Sequence, residues 1–404
     1  MEGDFNSIFG TPPQYELSVS ARICVFGEHS DYVPYLNTEA VTFGSSEQRM
    51  KAFIRPRGDD KVKIVTTLSG LQENRHHSFH IRSLDMKGEW LDVLNSRGPP
   101  EPHWSNYVKG AVAYLANEPD TKKIDKGFEM LIDSNIPAAS GASSSSALTV
   151  CGMVATFLAN HMSFGGEEFA VEAGKAEWFV GTRGGCMDHA TMCCAEEGMM
   201  LGIEFISDSL FTQLIPIREG AFAGDWKWYT IFTHPAEKSG AARGVFNELA
   251  FVQQEVIPSH LEGMDYYLPA DTELIANKLP KTIEHTEFGR IRVRDRFRFV
   301  MNEYARVQKF SQWFWNDEGM IPLHEMRELL EGSWNDTRDL LGTHTPEMER
   351  VAAQLREKEG VLGVKVLGAG FGGNLLVCAK EDVDLGADAV EHTPGKGLQL
   401  IELD

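Results

Sequence analysis

The sequence lacks the features that place a protein in a membrane or on nucleic acid. No window approaches the roughly 20 consecutive apolar residues that a bilayer span requires, and the opening stretch, Met1 to Ser18, has no basic segment leading into an apolar one. A cytoplasmic protein is therefore expected. Basic residues are scarce, with 38 Lys and Arg against 59 Asp and Glu, leaving a formal charge of −21. That sign disfavours docking on nucleic acid or an anionic membrane as the main task. An anionic ligand would need backbone amides, a local cation or a metal ion. The cysteines number only six, and no pair has C-x-x-C spacing, so no zinc or redox site is expected and buried free thiols are the default. Internal repeats and low-complexity tracts are missing. There is no G-x-x-x-x-G-K-[ST], which excludes a phosphate loop of the Walker type.

What is present is the balance of a folded chain, 42% hydrophobic and 24% charged over 404 residues, enough for two or three domains. Runs rich in β-branched and aliphatic residues predict strands at Ile23 to Phe26, Lys61 to Thr67, Gly127 to Ile132, Met199 to Phe205, Lys227 to Phe232, Val364 to Leu367 and Asn374 to Ala379. Periodic apolar patterns predict helices at Asn106 to Leu115, Ser143 to Asn160, Ile291 to Trp315 and Thr345 to Lys358. Thr345 is placed to cap the last of these, with Pro346 at its first position. The mixture has no regular βαβ period, which favours an α+β class. The sequence loosens around Glu219 to Gly224, dividing the chain into residues 1–222 and 223–404.

Four segments concentrate polar chemistry. Ile136 to Ala147 places small residues and Ser143, Ser144, Ser145 and Ser146 between a predicted strand and an apolar helix. Such a turn brings backbone N–H groups and hydroxyls to an anion, or serves as a flexible loop with a cap. Gly368 to Gly373 lies between two predicted strands and opens no helix, which weakens a dinucleotide-binding reading and leaves a tight turn or a loop pressed against a ligand. Arg22 and the cluster Gly27-Glu-His-Ser-Asp-Tyr32 flank a strand, where crowded polar groups suit a polyhydroxyl ligand or a solvated turn. Asp188 either caps the next helix or takes a proton from an attacking hydroxyl. Glu177, on a predicted helix, is the nearest candidate metal ligand. His76, His77 and His80 read as an exposed strand, the arginines at 290, 292, 294, 296 and 298 as a solvated or ion-paired face, and Arg183 as a surface arginine or a carboxylate partner.

In combination these segments resemble the GHMP kinases, and within them the galactokinase branch. Arg22 to Tyr32 is similar to that branch's sugar signature. Trp104-Ser-Asn-Tyr-Val-Lys-Gly110 resembles its W-x-N-Y-V-K-G, Ile136 to Leu148 its serine loop, Gly185-Cys-Met-Asp-His189 its G-I-M-D-Q, and Val366 to Gly373 its final glycine motif. The resemblance implies a two-domain fold with the active site in the cleft between domains, the second domain being ferredoxin-like. It implies an ATP-dependent sugar kinase acting on the anomeric hydroxyl of galactose or a related sugar. Asp188 and Arg22 would be catalytic. Glu28, His29, Asp31, Tyr32 and Gly185 would bind the sugar, and Ser140, Gly141, Ser143 to Ser146, Gly370, Gly372 and Gly373 the nucleotide. Ser145 and Glu177 would hold Mg²⁺, with sugar and ATP as partners of a monomer or homodimer. Departures are Ser20-Ala21 in place of Pro-Gly, Ala139 and Ser140 in place of glycines, Val33 to Thr38 in place of a polar-glycine stretch, and His189 in place of Gln. They leave open a uronic acid, amino sugar, pentose or non-sugar alcohol as substrate, or a sensor that binds without turnover.

Overall fold

The spine of the molecule is one strand of 19 residues, Thr38–Pro56, in a computed structural model. The structure describes the chain except residues 69–73, 85, 118–123, 207–208, 218–225, 237–239, 262–270, 316–320 and 404, and the side chains of 240–243 and 314–315. The strand Tyr15–Phe26 runs antiparallel along most of that spine. The spine's first part pairs on its other edge with Met199–Ile206, and its last part with Phe128–Ser134. With Lys61–Thr66, His76–His80 and Ser209–Pro216, these build a sheet of nine strands among the described residues. The remaining two come from the end of the chain. Leu398–Glu402 pairs with Tyr15–Phe26, and Pro394–Gly395 with the spine.

By that return residues 394–402 add strands to a sheet otherwise built from residues before 217. The expected division, at 222/223, lies outside the described residues. The predicted strands at Lys227 to Phe232, Val364 to Leu367 and Asn374 to Ala379 become Trp226–His234, Val361–Val366 and Gly373–Lys380 in a second, antiparallel sheet of four. The two sheets share one core. Ile23, Val25 and Phe43 of the first pack with Leu376 and Cys378 of the second and with Val307, Phe310, Met326 and Leu330 of two helices between them.

Ser144–Ala159 is apolar on nearly every face and is buried accordingly, packed between the helix Ser105–Asn117 and the large sheet. Thr345 caps Pro346–Arg356 as its sequence predicts, its hydroxyl accepting from Met348 N at 3.3 Å. Along Val293–Trp315, Val293, Phe297, Val300, Met301, Val307 and Phe310 are buried, and with them Glu303. Of the two readings of the arginine series, the ion-paired one holds for Arg292, Arg296 and Arg298, which pair with Asp295, Glu248 and Glu273. Arg296 is buried, paired to Glu248 at 2.8 Å, and donates to the Leu340 and Leu341 carbonyls. Cys24, Cys151 and Cys378 are buried as expected, whereas Cys186, Cys193 and Cys194 are half-buried; all six are free. None of the described helices is long and apolar enough to cross a membrane.

Candidate active site

A cavity of about 640 Å³ opens where the two sheets meet, within the size range of small-molecule sites. Its first wall begins at the end of Tyr15–Phe26. The strand stops at Gly27, whose φ of +104° and whose approach to Ala40, 2.5 Å from where a Cβ would sit, only glycine tolerates. Gly27 N donates to the buried Glu303 carboxylate at 2.9 Å. The turn that follows is tied internally, Ser30 Oγ donating to the Gly27 carbonyl and Thr38 Oγ1 to that of Ser30. His29 adopts φ +60° and pairs through Nδ1 with the Tyr32 hydroxyl at 2.8 Å. Burial lowers the His29 pKa despite the carboxylates of Glu28 and Glu303, which favours the neutral ring.

Asp188 lies in the first turn of Met187–Cys194 but does not cap it. The residue at the cap is Cys186, and the Met187 N–H is taken by Asp31 Oδ2 at 2.9 Å. Asp188 faces Arg22, whose Nε donates to Oδ1 at 2.6 Å, while Arg22 Nη1 reaches Glu28 Oε1 at 3.2 Å. Burial works to raise the Asp188 pKa. Arg22 and the Ser143 hydroxyl outweigh it and hold the carboxyl below its ordinary value. Asp31 goes the other way, pushed up to about 6 by burial and by the charge of Asp188, against its Met187 hydrogen bond. Gly185 is required beneath it, since a Cβ there would lie 2.0 Å from the Asp31 carbonyl oxygen.

The opposite wall joins the serine loop to the glycine loop. Gly141, at φ +80°, presses on the Leu367 carbonyl, 2.2 Å from where its Cβ would sit, and Gly373 presses on Ser140. Ser140 O also accepts from Asn374 N at 2.7 Å, so the two loops are stitched back to back. Of the nucleotide residues named from the sequence, Gly141, Ser143, Ser145, Ser146 and Gly370 line the cavity. Ser140, Ser144, Gly372 and Gly373 are not part of its lining. Ser140 and Gly373 form the stitch, Gly372 packs on His234 and Ala236, and Ser144 opens the helix. Among the described residues, four of the five non-glycine positions at positive φ, His29, Ala139, Ser143 and Phe371, fall in these two walls. Backbone strain concentrated in this way is characteristic of functional sites.

Glu177 ends the helix Gly166–Glu177, with Oε2 2.9 Å from His189 Nε2. Neither atom is aligned for a hydrogen bond, and both are buried. Ser145 is bonded to the Tyr107 hydroxyl. Trp104, Asn106 and Tyr107, in a segment the sequence matched without giving it a role, line the cavity, as do Trp178 and Phe246, which the sequence did not mark. Arg183 meets neither expectation. It is half-buried and held by the Trp178 and Thr182 carbonyls and by Asn95, and it does not line the cavity. Among the described residues no group of three or more His, Cys, Asp or Glu is placed to hold a metal ion, the three histidines of His76–His80 included.

Two family models match the chain, GHMP kinases N terminal domain over residues 106–196 and GHMP kinases C terminal over residues 321–395. Galactokinase of Canis lupus familiaris is 24% identical over 384 residues, covering 91% of this chain and 84% of that protein. Galactokinase of Lactococcus lactis subsp. cremoris is 25% identical, covering 94% of this chain and 86% of its own length. Among solved structures, Lactococcus lactis galactokinase complexed with galactose superposes with a TM-score of 0.76 at 21% identity, over 98% of both chains. A mevalonate kinase superposes with a TM-score of 0.54 at 15% identity, over 91% of this chain and 92% of its own.

Proposed function

We propose that this chain, which belongs to the GHMP kinases and to their galactokinase-like branch, moves the γ-phosphoryl group of ATP onto a sugar hydroxyl, the anomeric hydroxyl of galactose or of a galactose-like sugar. The observation that carries the proposal is the Arg22–Asp188 pair, 2.6 Å apart, facing a cavity whose other wall is the serine loop. The sugar oxygen attacks the γ-phosphorus as the bond to the bridging oxygen of ADP breaks, and Asp188 accepts the hydroxyl proton. Arg22 keeps Asp188 ionised and offsets negative charge developing on the transferring group. Backbone N–H groups and hydroxyls at Gly141 to Ser146, where a helix begins, suit the phosphates. His29, Asp31, Tyr32 and Gly185 line the sugar side.

An oxygen donor set suits a hard divalent cation, and the buried, unbonded Glu177 Oε2 and the Ser145 hydroxyl fit Mg²⁺. Bound there, the ion would neutralise phosphate charge. Glu177→Gln is expected to raise the Mg²⁺ concentration for half-maximal rate roughly 10- to 100-fold, measured by titrating the rate with Mg²⁺; an unchanged midpoint removes Glu177 as a ligand.

The central test is ADP release from Mg·ATP against a panel of hexoses, pentoses, uronic acids, amino sugars and mevalonate. Turnover restricted to galactose-like sugars supports the proposal, and binding without ADP release on any of them leaves a sensor instead. A pH series on the best substrate separates the two carboxylates. Asp31 charges near pH 6 and Asp188 lower. Hence kcat/KM for the sugar should fall as pH drops below about 6, while kcat stays level to about pH 5. Asp31→Asn keeps an acceptor for Met187 N and should flatten the kcat/KM limb; a limb that survives the substitution belongs to another group.

A further inference from the structure

Lys365 is a cation with no exposed surface and no part in the reaction as described so far. It lies in the strand Val361–Val366, whose neighbours Val364 and Val366 turn into the core of the small sheet. Its own side chain turns the other way, toward the first half of the chain. The ammonium donates to the carbonyls of Cys24 at 3.3 Å and Val366 at 2.9 Å and stands 3.9 Å from Glu28 Oε1. That single carboxylate oxygen also accepts from Gly368 N at 2.7 Å and from Arg22 Nη1 at 3.2 Å. Two cationic groups and one backbone amide thus converge on one oxygen. Lys365 and Gly368 come from the second sheet and the glycine loop, and Arg22 from the reacting pair.

A buried charge is costly unless it is paired and hydrogen-bonded, so an ammonium held in this position has its partners defined by the fold. Lys365 also faces Glu303 and Cys24, and Glu303 holds Gly27 N at the start of the turn that carries Glu28. The Arg22 guanidinium is planar, with Nε on Asp188 and Nη1 on Glu28. Its plane is set only if both carboxylates are fixed. Asp188 is fixed by its helix. Glu28 stands in a loop, and what fixes its oxygen is Gly368 N and the charge of Lys365.

We propose that Lys365 is a positioning residue for phosphoryl transfer, which through Glu28 aims Arg22 at Asp188 and ties the glycine loop to that pair. The inference rests on the kinase reading of the same cavity. It gives Glu28 a second role besides the sugar contact expected from the sequence.

The experiment measures kcat and both KM values for the wild type, Lys365→Met, Lys365→Arg, Glu28→Gln and the double variant, with the sugar the wild type uses best. Lys365→Met is expected to lower kcat about 10- to 100-fold, the scale of a sub-ångström to 1 Å misplacement of a reacting group, with KM for ATP and sugar within about threefold. Lys365→Arg should restore most of kcat. Glu28→Gln should fall by a similar factor, and the double variant no further than the worse single one, because both substitutions act through one contact. The proposal is overturned if the Lys365→Met loss appears in the sugar KM alone, if Lys365→Arg is as impaired as Lys365→Met, or if the two single losses multiply. Should Lys365→Met not fold, Glu28→Gln decides: a kcat loss upholds the proposal, and a pure rise in sugar KM overturns it. A wild type that turns over no sugar overturns both the kinase reading and this one, whereas wild-type turnover with Lys365→Met unimpaired overturns this one alone.

Discussion

Asp188→Asn is expected to lower kcat by about 10²- to 10⁴-fold, the contribution typical of a positioned general base, while the protein stays folded and both KM values change little. The structure explains why the effect should be confined to the chemical step. Asp188 Oδ1 accepts from Arg22 Nε at 2.6 Å, and the Asn carbonyl oxygen can accept the same bond. Ser146 Oγ donates to Oδ2 at 3.4 Å, and a hydroxyl can turn to accept from the Asn amide instead. The helix cap is untouched, because Asp31 and not Asp188 holds the Met187 N–H. What is lost is the negative charge that receives the hydroxyl proton. Steady-state kinetics with a thermal melt of the same preparation checks this. A variant with wild-type kcat would remove Asp188 as the base, and one with a collapsed melting point would make it a structural residue.

The parts of this site that were legible in the sequence are those whose chemistry is local. Arg22, the Gly27 to Tyr32 turn, the serine loop and the glycine loop each sit beside a strand end or helix start, and each contributes residues to the cavity wall. What could not be read was chemistry completed by distant partners. Glu303 reaches Gly27 across 276 positions, and Lys365 reaches Cys24 across 341. Alone in its segment, each is a charged residue among apolar ones. The long strand Thr38–Pro56 was missed because Gly44 to Gln48 interrupts its apolar pattern. It persists there through side-chain bonds that only the fold supplies, such as Ser45 Oγ with His392 Nδ1 at 2.8 Å. The Asp188 cap was a fair expectation from residue type and position. It failed because the helix starts one residue earlier, at Met187 with Cys186 at the cap, so that Asp188 stands inside the first turn while Asp31, 156 positions away, accepts from the Met187 amide.

Replacing Arg22 should do damage of two kinds, to stability as well as to catalysis, where Asp188→Asn does one. Arg22 is 4% exposed and is shared by Asp188 and Glu28. In Arg22→Met both carboxylates lose that partner. Breaking a buried ion pair from one side costs about 3–5 kcal/mol; the lower end is expected here, because Glu28 keeps Gly368 N and Lys365, and Asp188 is 28% exposed. Catalysis should fall by about 10²- to 10³-fold from loss of the donor alone. The pH dependence gives the diagnostic sign. With Arg22 present, the Asp188 pKa is held low, so the pair contributes stability above the ordinary Asp value, and that contribution is lost as pH falls through the lowered one. Without Arg22, the largest opponent of burial is gone and the Asp188 pKa rises, so the variant loses the stability that depended on a low value. The deficit of Arg22→Met against wild type should therefore be largest near neutral pH and shrink toward pH 4. Arg22→Lys restores a charge but not a planar fork that spans two carboxylates. It should recover much of the neutral-pH stability and little of kcat. Chemical denaturation at pH 4, 5.5 and 7 measures the deficit, and one that is constant with pH would show that Arg22 contributes packing and not charge.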